Sequence, residues 1–92
     1  MYNLYEDPIK KQYIESIIDR CNKELIKSFI NIEWDWDINY IFITATYDEN
    51  KTFNVDISIK DISFEVDDLD DNVDYVMDTI YDTFEEKDTN LY

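Results

Sequence analysis

Carboxylates are the only side chains this sequence supplies in quantity for chemistry. It carries 23 Asp and Glu against 8 Lys and Arg, with one Cys, no His and no Gly. Without His there is no Ser-His or Cys-His pair, no His-ligated zinc and no imidazole switch. Without Gly there is no phosphate-cradling loop or dinucleotide fingerprint, because both bring backbone closer to phosphate than a Cβ allows. A single thiol forms no internal disulfide and gives no sign of an oxidising compartment. Cys21 lies among Ile17, Ile18 and Leu25, where it reads as a small buried apolar residue.

Three uses of the carboxylates come into question. Paired acids divide the roles of general acid and base only in a cleft that gives them contrasting surroundings. The acids here crowd outward-facing positions, so an enzyme is not expected. Asp35-Trp36-Asp37-Ile38-Asn39 begins like a calcium loop. However, Tyr40 stands where the sharp turn needs Gly, and Thr46 stands where a bidentate Glu is needed. Asp68, Asp70 and Asn72 fail likewise, with Val73 and Thr79 at those places. Neither a metal nor a cofactor is expected. The third use is an anionic array. Asp71, Asp74, Asp78, Asp82 and Glu85 recur at steps of three, four, four and three, which on a helix makes one continuous stripe roughly 20 Å long.

The elements that must hold this stripe follow from periodicity. Pro8 suits a first helical position, with Asp7 as its cap. Ile14, Ile17, Ile18, Cys21, Leu25, Phe29 and Ile32 then fall at three- and four-residue steps, predicting a helix over about residues 8–32. Asp19 and Lys23 make a favourable i,i+4 pair on it. Alternation predicts a strand over about 39–47, entered through an extended arm at 34–38, and a second strand over about 52–60. Asn50 is the candidate for a positive φ in the turn between them. The phase then shifts to Ile62, Phe64 and Val66, read as a third strand over about 62–66 after a turn at Lys60-Asp61; a bulge there is the alternative. Leu69, Val73, Val76, Met77, Ile80 and Phe84 predict a helix over about 69–87, capped by Asp67 or Asp68. The expectation is one α+β domain over residues 1–92, ordered α-β-β-β-α. Its three-stranded antiparallel sheet packs both helices on one face.

The longest apolar run, Tyr40-Ile41-Phe42-Ile43, is far short of the ~20 residues that span a bilayer. The N-terminus has no basic region followed by an apolar stretch, as a signal peptide would. A cytoplasmic chain that engages no membrane is expected.

The charge is unevenly placed. Residues 1–31 hold five acids and five bases. The remainder holds 18 acids and three bases, so the whole net charge of −15 lies there. Such a chain lacks the basic face that direct nucleic-acid binding needs. Stability does not explain the pattern, since like charges at i,i+4 cost about 0.2–0.5 kcal/mol per pair. Asp70 and Asp71 suit a helix start, but Asp82, Glu85, Glu86 and Asp88 oppose the dipole at its end. A solvated face that serves solubility is the competing explanation. Docking on a basic groove is the functional one, because carboxylates roughly 5–6 Å apart approach the charge spacing of a nucleic-acid strand. In Glu33-Trp34-Asp35-Trp36-Asp37 the two tryptophans alternate with three acids. On a regular strand they share one face and Glu33, Asp35 and Asp37 the other, and an exposed Trp36 would anchor an interface. The expected partner-binding residues are therefore Asp67, Asp68, Asp70, Asp71, Asp74, Asp78, Asp82, Glu85, Glu33, Asp35, Asp37 and Trp36.

In size, in its α-β-β-β-α order and in Asp-rich later elements such as Asp67-Asp68-Leu69-Asp70-Asp71, the chain resembles small acidic phage-encoded inhibitors of host defence. Nucleic-acid mimics and several anti-CRISPR proteins are among them. The resemblance implies a stoichiometric inhibitor, acting in the host cytoplasm as monomer or homodimer. It would occupy the basic site of a CRISPR effector, such as a Cas nuclease complex, where DNA or RNA otherwise sits. An acidic antitoxin or immunity protein on a basic nuclease toxin would use the same charge logic. A structural interaction module with a solvated acidic face is the third class.

Self-repulsion of this magnitude has a measurable signature. The melting temperature should rise as salt screens the acids. A salt-independent melt would mean that the acids are paired within the fold or within an oligomer.

Overall fold

The computed structural model describes residues 8–89. Helix α1 spans Pro8–Leu25, strands β1, β2 and β3 span Asn31–Trp36, Tyr40–Asp48 and Lys51–Ser58, and helix α2 spans Leu69–Thr89. The sheet is antiparallel with β2 in the centre. Both helices contribute to a core on one sheet face, giving the α-β-β-β-α order of an α+β fold.

Register explains the layering. Ile32, Trp34 and Trp36 of β1 lie opposite Ala45, Ile43 and Ile41 of β2, which lie opposite Phe53, Val55 and Ile57 of β3. These rows face the core. Ile14, Ile17, Cys21 and Leu25 of α1 and Val73, Val76 and Ile80 of α2 meet them, all buried. Phe29 joins the two layers. Its ring packs within 6 Å of Phe53, Tyr81 and Phe84.

Three elements differ from the pattern in the sequence. The first helix stops at Leu25 rather than Ile32. Its last turn tightens through Lys27 N–H to Glu24 O and Ser28 N–H to Leu25 O, at 3.2 and 3.0 Å. This exposes Ile26 and swings Phe29 into the core. Residues from Asn31 onward gain more by pairing with β2, which satisfies the backbone of alternate residues and buries one side of Ile32, Trp34 and Trp36. The extended arm is therefore a strand in its own right. Its turn back to β2 is held by the Asp37 carboxylate, which accepts from Asn39 and Tyr40 N–H at 2.7 and 2.9 Å.

Residues 62–66 are not a strand. Lys60-Asp61 belongs to a 3-10 turn, Ile59–Asp61, in which the Ser58 hydroxyl accepts from Lys60 N–H. The chain then leaves the sheet, and Asn72 takes the place of a neighbouring strand. Asn72 Oδ1 accepts from Ser63 N–H at 3.1 Å, and Nδ2 donates to Ser63 O at 2.7 Å. The same Nδ2 donates to the Tyr13 hydroxyl, which donates onward to Glu65 O, both at 2.7 Å. One buried carboxamide thus ties the connection to both helices. A second 3-10 turn, Val66–Asp68, leads into α2, and the Asp68 carboxylate accepts from the Ser63 hydroxyl at 2.6 Å.

Asn50 has no positive φ, nor has any other described residue. A register shift between Thr46 and Asp48 supplies the local twist instead. The Asp7 cap lies outside the described residues.

Replacing Asn72 with Ala strands the Ser63 amide and carbonyl at once. Urea unfolding should show a loss of about 2–3 kcal/mol for N72A, against about 1 kcal/mol for S63A, which keeps both backbone bonds. Equal losses would refute the clamp.

Candidate functional site

The rotation of α2 decides which acids face solvent. Asn72, Val73, Val76 and Ile80 point inward, with Leu69, Met77 and Phe84 packed beside them. Asp71, Asp74, Asp78, Asp82 and Glu85 consequently line the outer face, all exposed. The ion pairs among the described residues are Arg20–Asp70 at 2.6 Å, Lys23–Asp19 at 3.4 Å and Lys27–Glu24 at 3.3 Å. None involves the outer stripe. The Thr79 and Thr83 hydroxyls turn back to the carbonyls of Tyr75 and Thr79 and leave the acids alone.

The twelve expected partner-binding residues do not form one surface. Asp70 is engaged by Arg20 across the helix pair, and Asp68 by the Ser63 hydroxyl. Asp67 is exposed in the turn before α2. Glu33 and Asp35 stand on the sheet face away from the helices, opposite Thr44 and Phe42. That places them on the far side of the molecule from the α2 stripe. Asp37 lies past the end of β1 and holds the turn. Trp36 is not an exposed anchor. It sits on the core side, half-buried and packed against the core, as does Trp34.

The bare sheet face contains a feature that the sequence reading missed. Asp35, Phe42 and Asp56 form one row across all three strands. Tyr40 and Phe42 are 44% and 36% exposed, with ring centroids 5.9 Å apart. Unbroken alternation from Trp34 and Trp36 through Ile38 would set Tyr40 and Phe42 on the tryptophans' face. The available signal was the turn-forming pair Asp37 and Asn39, which resets the phase between β1 and β2.

No three Asp, Glu or Cys side chains among the described residues converge closely enough to hold a metal ion. Cys21 is fully buried, and its thiol donates to Val73 O at 3.8 Å. Burial pushes this thiol up from 9.0 to about 12. Burial also raises Tyr13 and Tyr75, with Asp68 and Glu65 adding to the first and Asp61 to the second. The Tyr75 hydroxyl donates to Asp61 at 3.2 Å. What the site offers chemically is a set of solvated carboxylates on a helix. Among the described residues no helix is long and apolar enough to cross a membrane.

The three raised groups act on stability in the alkaline range. Folding favours their protonated forms, so above their ordinary values the folded chain binds more protons than the unfolded one. Stability then falls as pH rises. The contribution of Cys21 should be constant below 9.0 and decline toward about 12. Urea midpoints across that interval test this, with iodoacetamide labelling of Cys21 as the local probe. Rapid labelling of the folded protein at pH 8 would refute the buried, protonated thiol.

Comparison with protein-family models, with curated proteins and with solved structures finds no significant match to this chain.

Proposed function

We propose that this chain is a non-enzymatic acidic inhibitor. In this reading it docks the outer face of α2 on the basic nucleic-acid groove of a CRISPR effector or similar defence nuclease. DNA or RNA is then excluded by occupancy. The observation that carries the reading is the stripe itself: five exposed acids in helical register, none in an ion pair among the described residues. Stability alone favours interleaved signs on such a face, and a solubility role does not require that register.

The physics is that of polyelectrolyte exchange. A basic groove holds nucleic acid largely by releasing counterions. A folded anionic array competes for the same groove without a flexible backbone to order, and the charge of −15 speeds the encounter. In this reading the array is narrower. Asp71, Asp74, Asp78, Asp82 and Glu85 form its centre, and Asp67 extends it at the N-terminal end. Asp68, Asp70 and Asp37 have structural bonds of their own. Glu33 and Asp35 lie on the opposite face and cannot reach the same groove wall.

The test is competition. Purified protein should block DNA binding by a susceptible effector complex, with inhibition weakening as salt rises. Reversing Asp71, Asp74, Asp78 and Asp82 to Lys should raise the inhibitory concentration by at least about a hundredfold, with the circular dichroism spectrum unchanged. Undiminished inhibition by the reversed variant would overturn the reading. Protection of a basic nuclease toxin, with effectors untouched, would place the chain among immunity proteins instead.

A further inference from the structure

We infer that the outer edge of β1 is a docking strand for an extended, lysine- or arginine-bearing segment of a partner protein. This surface is separate from the α2 stripe and does not depend on its function.

Backbone register supplies the first argument. Asp37 N–H donates to Tyr40 O at 2.9 Å, and Ile59 N–H donates to Asn39 O at 2.8 Å. With the pairing of the strands, these two bonds fix the alternation. Asn31, Glu33 and Asp35 bond inward to β2, so Ile32, Trp34 and Trp36 turn their amides and carbonyls outward. The Trp36 N–H is met by the Asp35 carboxylate at 2.9 Å, which closes that end. The backbone groups of Ile32 and Trp34 have no partner among the described residues. Each offers one donor and one acceptor to an incoming strand, the geometry of β-strand addition.

The surroundings of the edge select the occupant. Between α1 and β1 runs a groove of about 360 Å³, lined by Glu15, Ile18, Asp19, Asn22, Trp34 and Trp36. Asn22 Oδ1 accepts from the Trp34 indole N–H at 3.1 Å and holds that ring in place. An aliphatic stem can lie on Ile18 and the Trp34 ring and carry its cationic head to Glu15. On the opposite side of the same edge stand Glu33 and Asp35, exposed. Both faces of an added strand therefore meet acids. Among the described residues no Lys or Arg lines the groove, and Lys23 nearby pairs with Asp19. A second copy is disfavoured on the same grounds. Antiparallel β1–β1 pairing centred on Trp34 sets Glu33 against Asp35 of the copy, and like charges directly opposite are destabilising.

Trp34 and Trp36 are the two tryptophans of the chain, so intrinsic fluorescence reports on this edge directly. The probe is a short, end-blocked peptide alternating lysine and valine. It should shift tryptophan emission saturably, while its glutamate–valine counterpart should not. Glu15→Lys with Glu33→Lys should weaken binding by at least about tenfold. The same change of charge made elsewhere, by Glu49→Lys with Glu86→Lys, should weaken it by less than about threefold. A probe N-methylated on the residues that bond to β1 keeps its charge but cannot add to a sheet, and it should lose binding. Equal weakening by the two variant pairs, or full binding of the methylated probe, would overturn the proposal. So would a concentration-dependent dimer by light scattering that the probe fails to dissociate.

Discussion

The buried carboxamide of Asn72 is the joint on which the arrangement depends. Without it the connection after β3 has polar backbone and no neighbour. With it, Ser63 gains the pair of bonds that a strand would have given, and Tyr13 draws α1 into the same network. The position of Asn72 on α2 also sets the roll of that helix. Once Asn72 and Val73 face inward, residues two turns on must do likewise, and the acids between them are turned to solvent. A polar contact within the fold therefore decides the electrostatic face outside it. Buried networks of this kind are costly when incomplete and specify one arrangement when complete. No buried side-chain polar atom among the described residues lacks a partner.

The charge distribution follows from the same layering. α1 carries bases as well as acids and uses them locally, with Arg20 reaching across to Asp70 on α2. That pair is exposed on both sides, so its worth is at most about 1 kcal/mol. Its more important effect is to remove Asp70 from the free array. The remaining α2 acids form no ion pair among the described residues, and the sheet keeps them apart from Glu33, Asp35 and Asp56. The molecule thus presents acids in two opposite directions from one apolar core. It does not have a single acidic end.

Periodicity made α2 and its stripe legible, because three-and-four spacing admits one reading over that length. It also placed both tryptophans on one face of an extended segment. The end of α1 was illegible for a specific reason. Phe29 and Ile32 continue the helical spacing of Leu25, yet they reach the core from a turn and a strand respectively. A pattern of apolar positions cannot tell these apart when each suffices to bury the residue. The excursion at residues 62–66 was hidden differently. Its alternation of Ile62, Phe64 and Val66 is that of a strand, and what forbids the strand is Asn72, a side chain nine residues from Ser63. Ion pairs between elements, such as Arg20–Asp70, need the helix crossing before they can be seen.

Among the described residues the turns are made without a single residue at positive φ. Carboxylates and hydroxyls, a register shift and short 3-10 segments bend the chain through ordinary backbone conformations. Mutational robustness follows. Where a turn demands the left-handed region, most substitutions are penalised by the backbone before any partner is met. Here that penalty is absent along the described chain, and turn positions such as Glu49 and Asn50 are open to drift. A lineage carrying this domain can therefore revise its exposed loops while the core beneath goes on folding as before.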